Sequence, residues 1–348
     1  MKISLVVVCH HSSRVLPFCV GGFRAGAAAA GFEPEVVVVE QSEDAAEAAA
    51  VADCAPDLTI VRPNRGYAAG LNAGAAASSG EVLFLANPDI EFLDGSVGAL
   101  AEVAAGVGVI AGPQLLWDRG GELLLPIPDD PGPMAELGRT VRRRWPRRRD
   151  LERRVEASWR VWTADEPCAV PSLRGPLMAV NRGSMERFGS LDEGYFLYYE
   201  ETEWLWRARR SGARLRLVPK ARVAHRWGHA TARRGDRAEI EGRSRIRFFR
   251  RNYPAPFRAL LRALSAPRGS QEDRFEVVDD PASLCEPKAD VWLLSIVSQM
   301  EPFVGCVGTS TLPSAALDLT SSGRWYAVAV RRDGSSWRAT GHWMWEKE

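Results

Sequence analysis

The chain has 348 residues, 46% of them hydrophobic and 26% charged, with a formal net charge of +1. That length allows more than one domain and a large core, and the composition is that of a globular protein. The near-neutral charge argues against a general nucleic-acid binder, and no uninterrupted apolar run is long enough to span a bilayer.

Ile3 to Cys9 reads as a first strand, followed by a helix-compatible stretch through Ala30. Val36 to Val39 is a second strand, and the Ala-rich run from Asp44 to Ala52 is helical. Leu58 to Val61 is a third strand, Ala68 to Ser78 a helix and Val82 to Leu85 a fourth strand. Strands alternating with helices imply βαβ units, a mostly parallel sheet, and ligand loops at the carboxyl ends of the strands. Those ends carry His10–His11, Glu40–Gln41, Asn64–Arg65–Gly66 and Asn87–Pro88–Asp89. Four polar clusters on one edge describe one site.

The last of these clusters is the most informative. Val82 to Ala86 is apolar throughout, as a strand buried on both faces must be. Pro88 cannot donate to a ladder, so the chain leaves the sheet there. Asp89 is thus expected at a buried strand end, where open α/β sheets bind ligands. A carboxylate there suits a hard divalent cation carrying substrate phosphates. Taken alone, Asn-Pro-Asp is also ordinary turn chemistry.

Regularity is lost from Gly120 to Trp162, where Arg142–Arg143–Arg144–Trp145–Pro146–Arg147–Arg148–Arg149 forms the densest positive cluster. It reads as a solvated loop or, alternatively, as a surface for an anionic acceptor or lipid head groups. Residues Leu173 to His229 return to α/β character. They contain an acidic block, Leu191 to Arg207, in which aromatic residues precede Glu200, Glu201 and Glu203 and a helical Trp-Leu-Trp-Arg run follows. Carboxylates at a helix start favour the positive end of its dipole; one beside an aromatic wall can also act as a general base. Beyond Tyr253 the pattern changes: Pro254, Pro256 and Pro267 interrupt the chain, and Arg268 to Asp273 is polar. β-like runs follow at Trp292–Val297 and Trp325–Val330, and Arg332–Asp333–Gly334 signals a hairpin turn before Trp337. The expected division is a first domain over 1–255 and a small appended region with strand content over 256–348.

The scattered cysteines Cys9, Cys19, Cys54, Cys168, Cys285 and Cys306 show neither a CxxC pair nor zinc-ligand spacing and read as free thiols in a reducing compartment. The strand that starts after Lys2 leaves no signal-peptide pattern. A cytoplasmic protein is expected, with Arg142–Arg149 the candidate for peripheral contact at the inner face of the cell membrane.

Several of these segments together resemble the family 2 glycosyltransferases of GT-A fold, in their rhamnosyltransferase-like branch. The segments are Ser4 to His11, Val36 to Ser42, Asn64 to Asn72, Asn87–Pro88–Asp89, Gly175 to Met178, the acidic block, and Val218–Pro219 through His225. They fall in the family's order within residues 1 to 250. The resemblance implies inverting transfer of a sugar from a UDP- or dTDP-linked donor to a hydroxyl of a carbohydrate, lipid-linked or small-molecule acceptor. It further implies Mg²⁺ or Mn²⁺ held by Asp89 and His225, and Glu201 as the catalytic base. Cys9, His11, Glu40, Asn64, Gly66, Asn72, Asn87 and Gly175 would shape the donor pocket, and Arg207 would anchor its helix. The family usually has Asp where this chain has Glu40, Glu201 and Glu203, Asn where it has Gln41, and Tyr-Asn where it has His10–His11. Each longer carboxylate must be absorbed by the backbone or by a shifted acceptor. Two other readings compete. A sugar nucleotidyltransferase would carry a glycine-rich phosphate loop where this chain has His10 to Ser13. A degenerate GT-A module would keep the nucleotide pocket without transferring sugar.

Overall fold

A computed structural model describes residues 1–145, 148–225, 234–265, 275–295, 303–319, 323–334 and 336–347. Pro146–Arg147 of the arginine cluster, Pro267, the polar stretch 268–273, and residues 296–297 of the expected strand lie outside the described residues. By contacts the chain forms two compact units. The first comprises Met1–Gln114, Pro128–Glu136 and Ala164–Leu260, and the second Leu115–Ile127, Leu137–Thr163 and Leu261–Glu348.

In chain order the elements open with β1 (Lys2–Cys9), α1 (Leu16–Ala29), β2 (Glu33–Glu40), α2 (Ala45–Ala52), β3 (Leu58–Val61), α3 (Tyr67–Ala77) and β4 (Val82–Ala86). There follow β5 (Ile90–Phe92), α4 (Ser96–Ala104), β6 (Val109–Leu116), α5 (Pro133–Arg144) and α6 (Arg148–Trp162). Next come β7 (Cys168–Ala169), β8 (Leu177–Asn181), α7 (Arg182–Phe188), α8 (Glu200–Arg210), β9 (Arg214–His225), α9 (Arg234–Asn252) and α10 (Ala255–Leu264). The chain closes with β10 (Glu276–Val277), β11 (Val291–Ser295), β12 (Val304–Val307), α11 (Ser314–Leu319), β13 (Gly323–Asp333) and β14 (Ser336–Lys347).

The first unit is built on a sheet of order β3-β2-β1-β4-β8-β6-β9-β5, with β7 paired to β9. The expected α/β class is present, but the sheet is mixed. β3, β2, β1 and β4 run parallel, whereas β8 is antiparallel to β4 and β6, and β5 and β7 are antiparallel to β9. The parallel half is where the apolar runs predict it. β4 is buried at every position, and Val36 to Glu40 of β2 are likewise enclosed. α2 starts at Asp44, whose carboxylate accepts from the Ala46 amide at 2.8 Å, a side-chain cap that explains the sharp onset of an otherwise featureless Ala-rich helix. α3 packs tightly on β1, because a Cβ at Gly70 would stand 2.7 Å from the Val8 methyl groups.

From β1 the chain steps outward to β2 and β3 and then returns to β4 on the other side of β1. The carboxyl ends of β1 and β4 therefore flank a topological switch point, the crevice where such sheets gather ligands.

The second unit carries a five-stranded sheet, β10-β14-β13-β11-β12, in which β13 and β14 form the hairpin expected at Arg332–Gly334. Its core joins Val291, Leu293, Tyr326, Val328, Val330 and Trp337 to Val155 of α6. This differs from the expected 256–348 boundary and from the expected irregular loop over 120–162. Within α6, Leu151, Val155, Trp159 and Trp162 form one helical stripe, and all four belong to this core or pack against it. Arg142–Arg144 accordingly lie in the last turn of α5 and not in a loop. Among the described residues no helix is long and apolar enough to cross a membrane.

Candidate active site

The first unit brings the two expected metal ligands together. Asp89 and His225 lie far apart in sequence, yet His225 Nε2 is 3.2 Å from Asp89 Oδ1, and both residues are buried. The register explains the meeting. Pro88 ends β4, the chain turns into β5, and β5 pairs with β9 so that Ile90 lies opposite His225. Among the described residues no cluster of three or more His, Cys, Asp or Glu surrounds a potential metal position. A carboxylate oxygen and an imidazole nitrogen nevertheless suit a divalent ion that takes its remaining ligands from water and a substrate diphosphate.

The same strand end is tied to Glu201. The Asn87 amide donates to the Pro176 carbonyl at 2.9 Å, which ties Gly175 and Pro176 to the strand end that carries Asp89. A Cβ at Gly175 would come 3.0 Å from Glu201 Cγ and 3.1 Å from Cδ. Gly175 therefore serves as the backing of the carboxylate: any side chain there would displace it. Glu201 opens α8 in a segment where Tyr198 and Tyr199 both have positive φ, 66° and 69°. Non-glycine residues adopt that conformation at a cost, and such strain concentrates at functional positions. Burial pushes the Glu201 pKa up, and the Thr202 hydroxyl, 3.2 Å from Oε1, partly opposes this. Burial and then the neighbouring Glu201 push Glu200 well up, and Glu200 Oε2 has no hydrogen-bond partner. Glu203 differs from both, because Arg207 bonds it at 3.2 Å and also donates to the Phe188 and Ser190 carbonyls. Arg207 is the anchor expected of it.

At the end of β2, Glu40 is fully buried. One of its oxygens accepts the Ser42 amide at 2.7 Å, while Oε2 has no partner, and neither does Nε2 of buried Gln41. Buried polar atoms are rarely left unpaired, so both atoms are available to a ligand that reaches the β2 end. The loops around this edge are tied together. The His11 amide donates to Ser42 Oγ at 2.7 Å, with His11 at φ 50° and exposed, and the Asn64 amide donates to Glu43 Oε1 at 2.9 Å.

Three expected donor contacts have other tasks. Cys9 is fully buried and its carbonyl accepts the Gln41 amide, so it forms floor and offers a ligand no polar group. Asn72 spends its side chain on the Leu191 backbone, accepting at 3.0 Å and donating at 3.0 Å, and on Glu193. Gly66, at φ 96°, lets the chain approach the protein's own backbone: a Cβ there would be 2.5 Å from the Phe196 carbonyl oxygen. Asn64 Oδ1 accepts the Gly66 amide at 3.0 Å, fixing the same turn. The Asn87 side chain makes no hydrogen bond among the described residues and remains available.

Sequence reasoning missed Tyr67 and Arg174. Burial raises the Tyr67 hydroxyl well above its ordinary pKa, and then Glu200, Asp89 and Glu201 raise it further. One phenol thus feels the charge of Asp89 and of both carboxylates, and its oxygen has no hydrogen-bond partner. Its place directly after Gly66 in the Asn64–Asn72 segment was the available signal. Burial lowers Arg174 to about 10 against the pull of Asp129, beside Gly175.

No family model matches the chain. It is 28% identical over 167 residues to N-acetylglucosaminyl-diphospho-decaprenol L-rhamnosyltransferase of Mycobacterium tuberculosis, covering 43% of this chain and 48% of the relative. The chain resembles the rhamnosyltransferase-like family 2 glycosyltransferases. It spans about half the length of the curated relatives it matches. Among solved structures it is similar to GalNAc-T7 with UDP, GalNAc and Mn²⁺, at TM-score 0.48 and 16% identity over 72% of this chain and 48% of that one. It is also similar to the mannosyltransferase PcManGT from Pyrobaculum calidifontis in complex with GDP-Man and Mn²⁺, at TM-score 0.48 and 17% identity over 76% and 68%.

Proposed function

We propose that the protein is an inverting, metal-dependent glycosyltransferase that moves a hexose from a UDP- or dTDP-linked donor to an acceptor hydroxyl. The observation that carries this reading is the linked pair of sites on one sheet edge. Asp89 and His225 stand 3.2 Å apart at the β4 and β9 ends, and the Asn87–Pro176 hydrogen bond connects that edge to Gly175, which backs Glu201. The curated relative's name, N-acetylglucosaminyl-diphospho-decaprenol L-rhamnosyltransferase, fits the same class.

In this reading Asp89 and His225 hold Mg²⁺ or Mn²⁺, which when bound stabilises the departing diphosphate as a Lewis acid. Glu40 and Gln41 read the nucleobase edge, with His11 and Asn64 fixing the loops around it and the Asn87 side chain facing the donor. Glu201 takes the proton from the acceptor hydroxyl as that oxygen attacks the anomeric carbon from the face opposite the diphosphate. Its raised pKa makes it a stronger base than a solvated carboxylate. The membrane side of the reading is separate: exposed Trp145 and the helical Arg142–Arg144 form a cationic surface suited to anionic head groups.

Calorimetry of UDP and dTDP with Mn²⁺ tests the donor site. Wild type should bind in a metal-dependent manner, and Asp89→Ala should lose at least ~100-fold in affinity, the loss of a charged ligand from a buried site, while melting at a similar temperature. Equal affinity in the variant would remove Asp89 from the site.

A further inference from the structure

Glu201 stands in the first turn of α8, and no capping side chain fixes where that turn begins: Tyr199, the N-cap residue, makes no side-chain cap. The chain enters the helix through Tyr198 and Tyr199 at φ 66° and 69°. Two successive non-glycine residues in the left-handed region persist only where their surroundings hold them there. The segment 191–199, which delivers the chain to Glu201, is in fact held from two sides. On one side Asn72 exchanges hydrogen bonds with the Leu191 backbone and reaches Glu193, and the Tyr67 amide donates to the Phe196 carbonyl at 2.8 Å.

The other side is α9, and it grips the positions that the first side leaves. Arg247 donates to both oxygens of Asp192, at 3.2 and 3.0 Å, and Arg251 donates to the same carboxylate at 2.9 Å. The Arg247 guanidinium also lies 5.1 Å from the centre of the Tyr195 ring, and a Cβ at Gly194 would run into it. Ser244, one turn earlier, is buried, and its hydroxyl donates to the Leu197 carbonyl at 2.8 Å. The Phe248 ring lies 5.5 Å from that of Tyr199, and Arg237 lies 5.4 Å from the centre of the Tyr198 ring. Residues 237, 244, 247, 248 and 251 recur at helical spacing, so one face of α9 makes all of these contacts. It meets positions 192, 194, 195, 197, 198 and 199. Among the described side chains of α9 only Ser244 and Phe248 are buried, and both face this segment.

We propose that α9 positions the base: Arg247 and Ser244 hold the 192–199 segment, the segment holds the left-handed turn at Tyr198–Tyr199, and that turn aims Glu201 at the acceptor hydroxyl. Both act through the turn and not on the reacting atoms, which makes them positioning residues. The task of Glu201 rests on the glycosyltransferase reading; the hold on the turn rests on the contacts alone. A base must stand within hydrogen-bond reach of its proton, and a displacement of about 1 Å can cost on the order of 10²-fold in rate. Arg247 is 43% exposed, and an ion pair that open contributes little to overall stability. Its loss should therefore be read in rate and not in melting.

The test uses the full chain and measures nucleotide release from UDP-glucose and dTDP-rhamnose with Mn²⁺, octyl glucoside supplying the hydroxyl, beside UDP affinity and melting temperature. The variants are Arg247→Ala, Ser244→Ala and Gly194→Ala, the last of which keeps the arginine and displaces its guanidinium. Each should lose about tenfold to a hundredfold in kcat, with UDP affinity and melting near wild type. Arg247→Lys, which retains a charged contact to Asp192, should recover part of the loss. Added to Glu201→Gln, Arg247→Ala should slow the reaction no further, because the base it aims is already gone. A multiplied loss in the Glu201→Gln/Arg247→Ala double variant, or wild-type kcat in Arg247→Ala, overturns the proposal. Amide hydrogen exchange separates it from the transferase reading. Faster exchange across residues 195–203 in Arg247→Ala supports the hold on the turn even if wild type transfers no sugar and that reading fails; unchanged exchange overturns the hold itself.

Discussion

The two units treat their buried polar groups differently. In the first, Glu40 Oε2, Gln41 Nε2, the Tyr67 hydroxyl and Glu200 Oε2 are buried without hydrogen-bond partners. In the second, the indole nitrogens of Trp162, Trp292 and Trp337 bond Leu125, Thr309 and Glu156, and Asp118 accepts the Leu123 amide at 2.7 Å. Among the described residues the second unit has no buried side-chain atom left without a partner. Unpaired buried polar atoms cost free energy and persist where a ligand completes them. Tyr195 and Trp206 of the first unit also keep an unpaired buried polar atom, so its open groups include the site and extend beyond it, whereas the described part of the second unit is closed around its core.

Substitutions can break that comparison. The largest effect is expected in the second unit. Trp337→Ala removes a buried indole, its 2.7 Å bond to Glu156 and its edge contact with Trp159. It should cost about 3–5 kcal/mol in a urea melt of that unit, with nucleotide affinity by calorimetry unchanged. Loss of nucleotide binding would show that the second unit helps to form the donor site.

A smaller loss is expected at Glu35, on the first unit's sheet but away from its site. Burial opposes ionisation there, yet the Ser4 and Ser79 hydrogen bonds and the Lys2 ammonium hold its pKa at about 2. A carboxyl depressed on folding contributes stability that is present above its unfolded pKa, near 4.3, and is lost as pH falls toward 2. Glu35→Gln should cost about 2 kcal/mol at pH 7, as hydrogen bonds to a charged group do. The gap should close in melts taken between pH 4 and pH 2. A gap independent of pH would assign the effect to shape and not to charge.

The smallest effect has the opposite sign. Burial and then Glu201 raise the Glu200 pKa on folding, so this carboxyl costs stability as pH rises above its unfolded value. Glu200→Gln should therefore stabilise by about 1 kcal/mol at pH 8 and by nothing measurable at pH 4. Destabilisation at pH 8 would mean that Glu200 is paired and that the first unit is closed there.

The parallel half of the first sheet was legible because each strand is an apolar run ended by polar residues, and Pro88 marks the exit from β4. The Asp89–His225 meeting was not legible as geometry, since it depends on the β5–β9 register across more than a hundred residues. The resemblance supplied that pair. The arginine cluster hid α5 and α6: dense charge reads as solvated chain, although Leu151, Val155, Trp159 and Trp162 already spelled an apolar helical face. Asn72 and Cys9 were assigned to the donor by motif position alone. Only the structure shows that Asn72 is occupied by Leu191 and Glu193, and that Cys9 lies beneath the surface.

The central claim is that Glu201, and not its neighbours, takes the acceptor proton. Turnover and donor affinity measured together for Glu200→Gln, Glu201→Gln and Glu203→Gln across pH test it most directly. Glu201→Gln should keep donor affinity near wild type and lose about 10²- to 10⁴-fold in rate. In wild type, the acid limb of the rate profile should lie above the ordinary glutamate range, because burial raises that carboxyl; the variant should lack the limb. Glu203→Gln, which loosens Arg207, should change stability more than rate. Turnover retained in Glu201→Gln, or lost most in Glu203→Gln with donor binding intact, would contradict the account.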